Sequence, residues 1–138
     1  MRTHVFRLRR GQDLKREIAA FAAAHHIRAA AVLTAVGSLS RARLRDASGV
    51  TVRELSEHLE IVSFTGTVSE ARLHLHIALS LQDLSTVGGH LMDGCIVNTT
   101  AEVVLLELPG LAFGEAYDPE TGYGELTVTA CHPPEAGV

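Results

Sequence analysis

The sequence of 138 residues has few cysteines and no long apolar run. Its two cysteines, Cys95 and Cys131, form no CxxC pair, so the pattern indicates neither a disulfide scaffold nor a zinc ribbon. We therefore expect two reduced thiols that pack separately. No run approaches the roughly 20 apolar residues of a membrane span, and the first residues lack the apolar core of a signal peptide. These absences predict a cytoplasmic protein with no membrane partner.

The chain also lacks a positive charge balance and the loop motifs of several ligand-binding classes. Its formal net charge is −4 and its isoelectric point about 6.0, which gives no overall field to attract a phosphate backbone. No phosphate-binding loop of the GxxxxGK[ST] type, GxGxxG fingerprint or GxSxG nucleophile elbow occurs. The sequence therefore does not favour direct nucleic-acid binding, and it indicates none of these nucleotide-binding or hydrolase classes.

The composition is that of a chain that can bury a core. Hydrophobic residues make up 46% and charged residues 20% of the sequence, and the length suits one domain. We expect residues 1–131 to form that domain and residues 132–138 to form a flexible tail. Apolar side chains that recur at helical spacing predict one amphipathic helix over residues 13–26, with Asp13 as its N-cap.

The remaining sequence alternates in the manner of strands. Strands are predicted at residues 3–8, 29–36, 39–46, 50–55, 58–68, 71–81, 111–117 and 122–130. We interpret Gly37 and Ser38 as a tight loop, and residues 87–94 as a glycine-rich loop in special backbone geometry. Residues 95–98 and 101–108 are either two strands or one long bent strand. One clear helix among hairpin-connected strands predicts an α+β domain on a largely antiparallel β-sheet.

Three histidines have the spacing of a metal site. His74 and His76 are two residues apart in a predicted strand, so they share a face at about 6.5–7 Å along the backbone. His90 follows Gly88 and Gly89, which would let the backbone come close enough for a third imidazole to join. Three neutral imidazoles suit Zn, Cu, Ni or Fe, and three protein ligands with an open fourth position are typical of catalytic zinc.

Each of these residues also has a plainer interpretation. An HxH pair on a strand can be a coincidence of surface or packing, because short motif matches carry false positives. Asp93, Glu60 and Glu102 are the nearest candidates for a carboxylate that orients a ligand or acts as general base. They can equally be ordinary acids at strand ends or on solvated faces.

Six short motifs together resemble one known family. They are GSL at 37–39, EIVSFTGT at 60–67, HLHIALS at 74–80, GGHL at 88–91 followed by Gly94, TAEV at 100–103 and DPETG at 118–122. Over nearly its whole length the chain resembles the PPC domain, the "plants and prokaryotes conserved" domain. The resemblance implies an α+β fold with an antiparallel sheet flanked by short additional helical segments, and assembly into a homotrimer. It also implies zinc binding through His74, His76 and His90.

Two functions remain open from the sequence. The first is a homotrimeric zinc-binding protein, with metal-dependent activity on a small-molecule ligand as an open question. The second is a non-catalytic module that associates with protein partners or DNA-linked complexes, as the PPC domain does in plants beside an Arg-Gly-Arg-Pro hook. Residues 41–45 read RARLR and lack the glycine and proline of such a hook, so direct DNA binding is not expected here.

Overall fold

The computed structural model describes residues 1–131 and builds them almost wholly from strands. The elements in chain order are β1 Arg2–Arg9, α1 Leu14–Ala24, β2 Ala30–Arg45, β3 Val52–Leu55, β4 Leu59–Val68, β5 Leu73–Ser80, β6 Thr86–Leu91, β7 Ile96–Glu107, β8 Leu111–Asp118 and β9 Tyr123–Ala130. The predicted tail, residues 132–138, lies outside the described residues.

The expected α+β class with short additional helical segments is wrong. Strand makes up 62% of the structure and helix 8%, and α1 is the one helix within residues 1–131. Most connections between the strands are tight turns and short loops, too short to nucleate a further helix. The protein is therefore a β-rich fold built on antiparallel pairs.

Helix α1 confirms the predicted amphipathic helix, with a shorter C-terminal end. The Asp13 side chain accepts a hydrogen bond from the Arg16 backbone N–H at 3.1 Å, which makes Asp13 the N-cap. The helix ends at Ala24 rather than at residue 26, because His26 has a φ of 50° that a helix cannot hold. Its fully buried side chains are Leu14, Ile18 and Ala22.

Strand β2 runs without a break through the predicted loop at Gly37 and Ser38. A Cβ atom at Gly37 would lie 2.0 Å from the Thr100 carbonyl oxygen, and the φ of Gly37 is 152°. The glycine therefore allows β2 and β7 to approach closely and does not form a turn. The sequence left residues 95–98 and 101–108 as either two strands or one long bent strand. They form one long strand, β7, which spans Ile96–Glu107.

The sheet closes on itself through β2. The strand order is β1-β7-β2-β4-β5-β6, and every pair is antiparallel. The first half of β2 pairs with β4, whereas its end pairs with β6 through Leu44 opposite Leu91 and Arg45 opposite His90. Register shifts along β2 let it bend between these two partners. Strands β2, β4, β5 and β6 thus form a closed ring, and β8 and β9 form a separate hairpin.

The sheet has one covered and one open face. Phe6 of β1 stacks on Phe21 of α1 at 4.1 Å, so α1 packs on the face that carries the core. We call the opposite side the outer face. Alternation along β5 assigns Leu75 and Ile77 to the core, and His74 and His76 to the outer face. α1, with 11 residues, is too short to cross a membrane, and no other helix occurs in residues 1–131.

The two cysteines differ in their surroundings, which gives a test of the packing. Cys95 is fully buried, and burial raises the pKa of its thiol to about 11, whereas Cys131 is half-buried. Because the thiolate is the reactive form, the native chain should react rapidly with Ellman's reagent at pH 8 through Cys131 alone. Cys95 should react only after unfolding in guanidinium. Rapid labelling of native Cys131→Ser would contradict this packing.

Candidate metal centre

The site begins on β5, where two histidines alternate with core residues. Leu75 and Ile77 are buried, and their packing fixes the strand so that His74 and His76 both point to the outer face. The imidazole centroids of His74 and His76 are 5.0 Å apart. The predicted shared face of this pair is confirmed.

The third histidine lies on a strand and not in the predicted loop. Residues 86–91 form β6, and His90 lies directly opposite His76 of β5. On its other side, His90 lies opposite Arg45 of β2. Residues opposite each other in a ladder share a face, so the outer face carries all three histidines together with Arg45.

The glycines before His90 explain why β6 fits between β5 and β2. A Cβ atom on Gly88 would lie 2.7 Å from the Ile77 carbonyl oxygen of β5. A Cβ atom on Gly89 would lie 2.8 Å from the Arg45 carbonyl oxygen of β2. Both glycines therefore serve close strand approach. From the sequence alone, such glycines look the same as glycines in a loop.

The three imidazoles converge to within reach of a single ion. The ligand nitrogen atoms of His74, His76 and His90 lie within 4.8 Å of one another. Tetrahedral zinc with Zn–N bonds of ~2.0–2.1 Å needs nitrogens about 3.3 Å apart. His74 and His76 are exposed, so their side chains can rotate inward by this small distance. The Nδ1 atom of His90 is buried without a hydrogen-bond partner in residues 1–131, so no group there competes for it.

The surroundings of the cluster favour the neutral form of two of its histidines. Burial lowers the pKa of His90 to about 4, and the positive charge of Arg45 contributes next. Burial also lowers the pKa of His74, with smaller contributions from His76 and Arg72. Neutral imidazole is the form that binds a metal ion, so His74 and His90 are prepared for this role at neutral pH.

Two of the open clefts that reach the cluster also contain Arg45. One, of about 390 Å³, is lined by Arg45, His76 and His90 together with the turn after β2. The other, of about 290 Å³, is lined by these side chains among others: Arg45, Arg72, His74, His90, Glu115, Tyr123 and Glu125. The site is therefore accessible to a small molecule.

The carboxylates expected near the cluster lie elsewhere. Asp93 pairs with Arg16 of α1 at 3.5 Å, Glu60 lies opposite Ser80 near the far end of β5, and Glu102 lies opposite Arg7 of β1. None of the three lines either cleft.

The acids that do line the second cleft, Glu115 and Glu125, come from the β8–β9 hairpin. The sequence reasoning placed neither acid beside the cluster, and it missed the role of Arg45 beside His90. The hairpin reaches the cleft through tertiary contacts such as Glu115 with Arg72, and Arg45 reaches it through long-range strand pairing. Neither leaves a local signal in the sequence.

The fold and the cluster define a class, namely a β-sheet protein with a candidate three-histidine metal centre on an open sheet face. The chain belongs to the Plants and Prokaryotes Conserved (PCC) domain family, whose model matches residues 1–109. This is the PPC domain family that the sequence motifs predict, and that resemblance is confirmed.

Similar proteins with solved structures share this fold over most of their length. A hypothetical protein from Salmonella enterica is 36% identical, with a TM-score of 0.91 and coverage of 94% of each chain. A metal-containing protein from Archaeoglobus fulgidus is 30% identical, with a TM-score of 0.79 and coverage of 92% of this chain and 94% of that one.

A similar curated protein is much longer than this chain. The bifunctional protein GlmU of Synechococcus sp. (strain JA-3-3Ab) is 44% identical over 128 residues, which are 93% of this chain and 21% of that protein. The chain thus spans about a fifth of the length of this relative.

The close approach at Gly89 can be tested by adding one methyl group. Gly89→Ala places a Cβ against the Arg45 carbonyl oxygen of β2, a backbone atom that cannot rotate away. We expect the free energy of unfolding, measured in urea, to fall by about 1–3 kcal/mol. The matched control is Gly114→Ala in β8, whose Cβ would meet only the Thr127 hydroxyl group, which can rotate. Equal losses in the two variants would contradict the role given to Gly89.

Proposed function

We propose that this chain is a homotrimeric metal-binding protein that holds one zinc ion per chain through His74, His76 and His90. The observation that carries the proposal is the convergence of three ligand nitrogens within 4.8 Å on one sheet face. The 30%-identical relative from Archaeoglobus fulgidus, described as metal-containing, supports it. Both cysteines are free, which suits the reducing cytoplasm, and we place the protein there.

The three histidines differ in how rigidly the fold holds them. His90 is half-buried and held between β5 and β2, so it supplies a fixed ligand, while the exposed His74 and His76 adjust to the ion. These three histidines would hold a zinc ion with an open fourth position, where it would supply Lewis-acid chemistry such as polarising a carbonyl group or activating water. The clefts beside His76 and His74 admit a small molecule to that position, so we propose metal-dependent activity on a small ligand.

The homotrimer is supported by the apolar character of the outer face. Four apolar side chains there are more than half exposed: Val5, Leu33, Val36 and Val62. They lie on β1, β2 and β4, away from α1 and apart from the histidine strands β5 and β6. Exposed apolar patches of this kind are typical of subunit interfaces. We propose that this part of the outer face is where subunits meet.

Metal content tests the site directly. The purified chain, loaded with zinc and desalted, should retain one zinc per chain by inductively coupled plasma mass spectrometry. His76→Ala removes one of three ligands and should lower zinc affinity at least tenfold. The matched control is His26→Asn, because that side chain is 85% exposed and Asn tolerates the positive φ there. Its zinc content should not change.

A wild-type chain that retains no zinc, or His76→Ala with undiminished zinc, would contradict the proposed site. A metal-free chain that still assembles would favour the non-catalytic association module.

Light scattering tests the assembly. With a mass of 14.8 kDa per chain, a trimer should have a mass of about 44 kDa. Leu33→Glu places a charge in the proposed interface and should shift the population toward monomers. Leu84→Glu is the matched control, because Leu84 is 83% exposed in the turn between β5 and β6. A monomeric wild type, or a trimer unaffected by Leu33→Glu, would contradict the proposed interface.

A further inference from the structure

Arg45 stands out among the arginines because the Nε atom of its guanidinium is buried and has no hydrogen-bond partner within residues 1–131. It lies opposite His90 in the β2–β6 ladder. Its Nε atom is buried without a hydrogen bond in residues 1–131, and no carboxylate in that part of the chain forms a salt bridge with it. Burying an N–H donor of a charged group without a partner costs free energy, so a ligand that satisfies it would bind favourably.

The neighbouring arginines are paired, which makes Arg45 different from them. Arg41 and Arg43, earlier on the same strand, both contact Glu54 of β3 at 3.1–3.3 Å. Arg53 of β3 contacts Asp46, the residue after Arg45, at 3.0 Å. The local acids are therefore already engaged with other arginines. Arg45 is left facing the clefts beside the histidine cluster.

The position of Arg45 is unfavourable for a bare metal site. Its positive charge helps to lower the pKa of His90 and of His74. The same charge would repel a divalent ion held by these histidines. An anion that contacts both the guanidinium and the ion removes this repulsion. Arg45 lines both clefts, so a ligand in either one can reach it.

The charged groups around the second cleft favour a small anion. Arg72, the other arginine that lines the second cleft, is engaged by Glu115 at 3.1 Å. Glu125 adds a second carboxylate to the same lining. These two acids repel a multiply charged phosphate group more strongly than a single carboxylate. The planar fork of arginine matches the two oxygens of a carboxylate.

We propose that Arg45 binds the carboxylate of a small monocarboxylic acid whose second oxygen donor reaches the metal ion. This inference rests on the proposed metal site and names the class of molecule that the site accepts. The clefts, of about 390 and 290 Å³, are large enough to hold such a molecule. Arg45 acts as a binding residue for this ligand and orients it toward the ion.

The test uses the full chain loaded with cobalt(II), whose visible absorption reports on the coordination of the metal. Lactate, a small monocarboxylate with a neighbouring hydroxyl group, should change the spectrum saturably. Lactamide, which lacks the charge, should need at least about tenfold higher concentration. Arg45→Gln should retain cobalt but bind lactate about tenfold or more weakly, and Arg45→Lys should fall between the two.

The matched control is Arg2→Gln, because Arg2 is exposed at the start of β1 and lines neither cleft. It should bind lactate like the wild type. Retained cobalt and an unchanged circular dichroism spectrum establish that each variant is folded. Equal lactate affinity in the wild type and both Arg45 variants, equal binding of lactamide, or no spectral response to lactate would overturn the role of Arg45 and leave the metal site standing. Failure of the wild type to bind cobalt would overturn the metal site itself.

Discussion

The organisation of the outer face depends on one close contact, the insertion of β6 between β5 and β2. Backbone oxygens on both sides occupy the space that side chains at Gly88 and Gly89 would need. Without these side chains, β6 pairs with β5 along its length and with the end of β2. This insertion closes the ring of four strands. It also places His90 between His76 and Arg45, which are far apart in sequence.

The same insertion links the metal site to its candidate ligand. Because β6 touches both neighbours, the outer face carries the cluster of three imidazoles and, one strand away, Arg45, whose Nε atom has no hydrogen-bond partner in residues 1–131. Burial and the charge of Arg45 act together on His90, lowering its pKa to about 4. A metal ion and an anion would each compensate for the charge of the other. In this account, the closed ring supplies a rigid support for the proposed metal site on its surface.

The sequence predicted the elements better than it predicted their contacts. Asp13 capped the expected helix, and the period of two correctly placed His74 and His76 on one face. The predictions of loops at Gly37 and around His90 were wrong, because a glycine that allows close strand approach has the same local pattern as a glycine in a turn. The α+β class was wrong because most segments between the strands are too short for further helices. The sequence did not indicate the role of Arg45, because its position opposite His90 of β6 depends on pairing between strands far apart in sequence.

The central claim is that all three histidines bind one metal ion, and zinc K-edge X-ray absorption tests it most directly. For the zinc-loaded chain, the account predicts about three imidazole nitrogens at ~2.0–2.1 Å and a fourth ligand through oxygen, such as water. His90→Ala should lose one of these imidazole contributions. A coordination sphere that contains sulfur, or one in which the imidazole signal is unchanged in His90→Ala, would contradict the account.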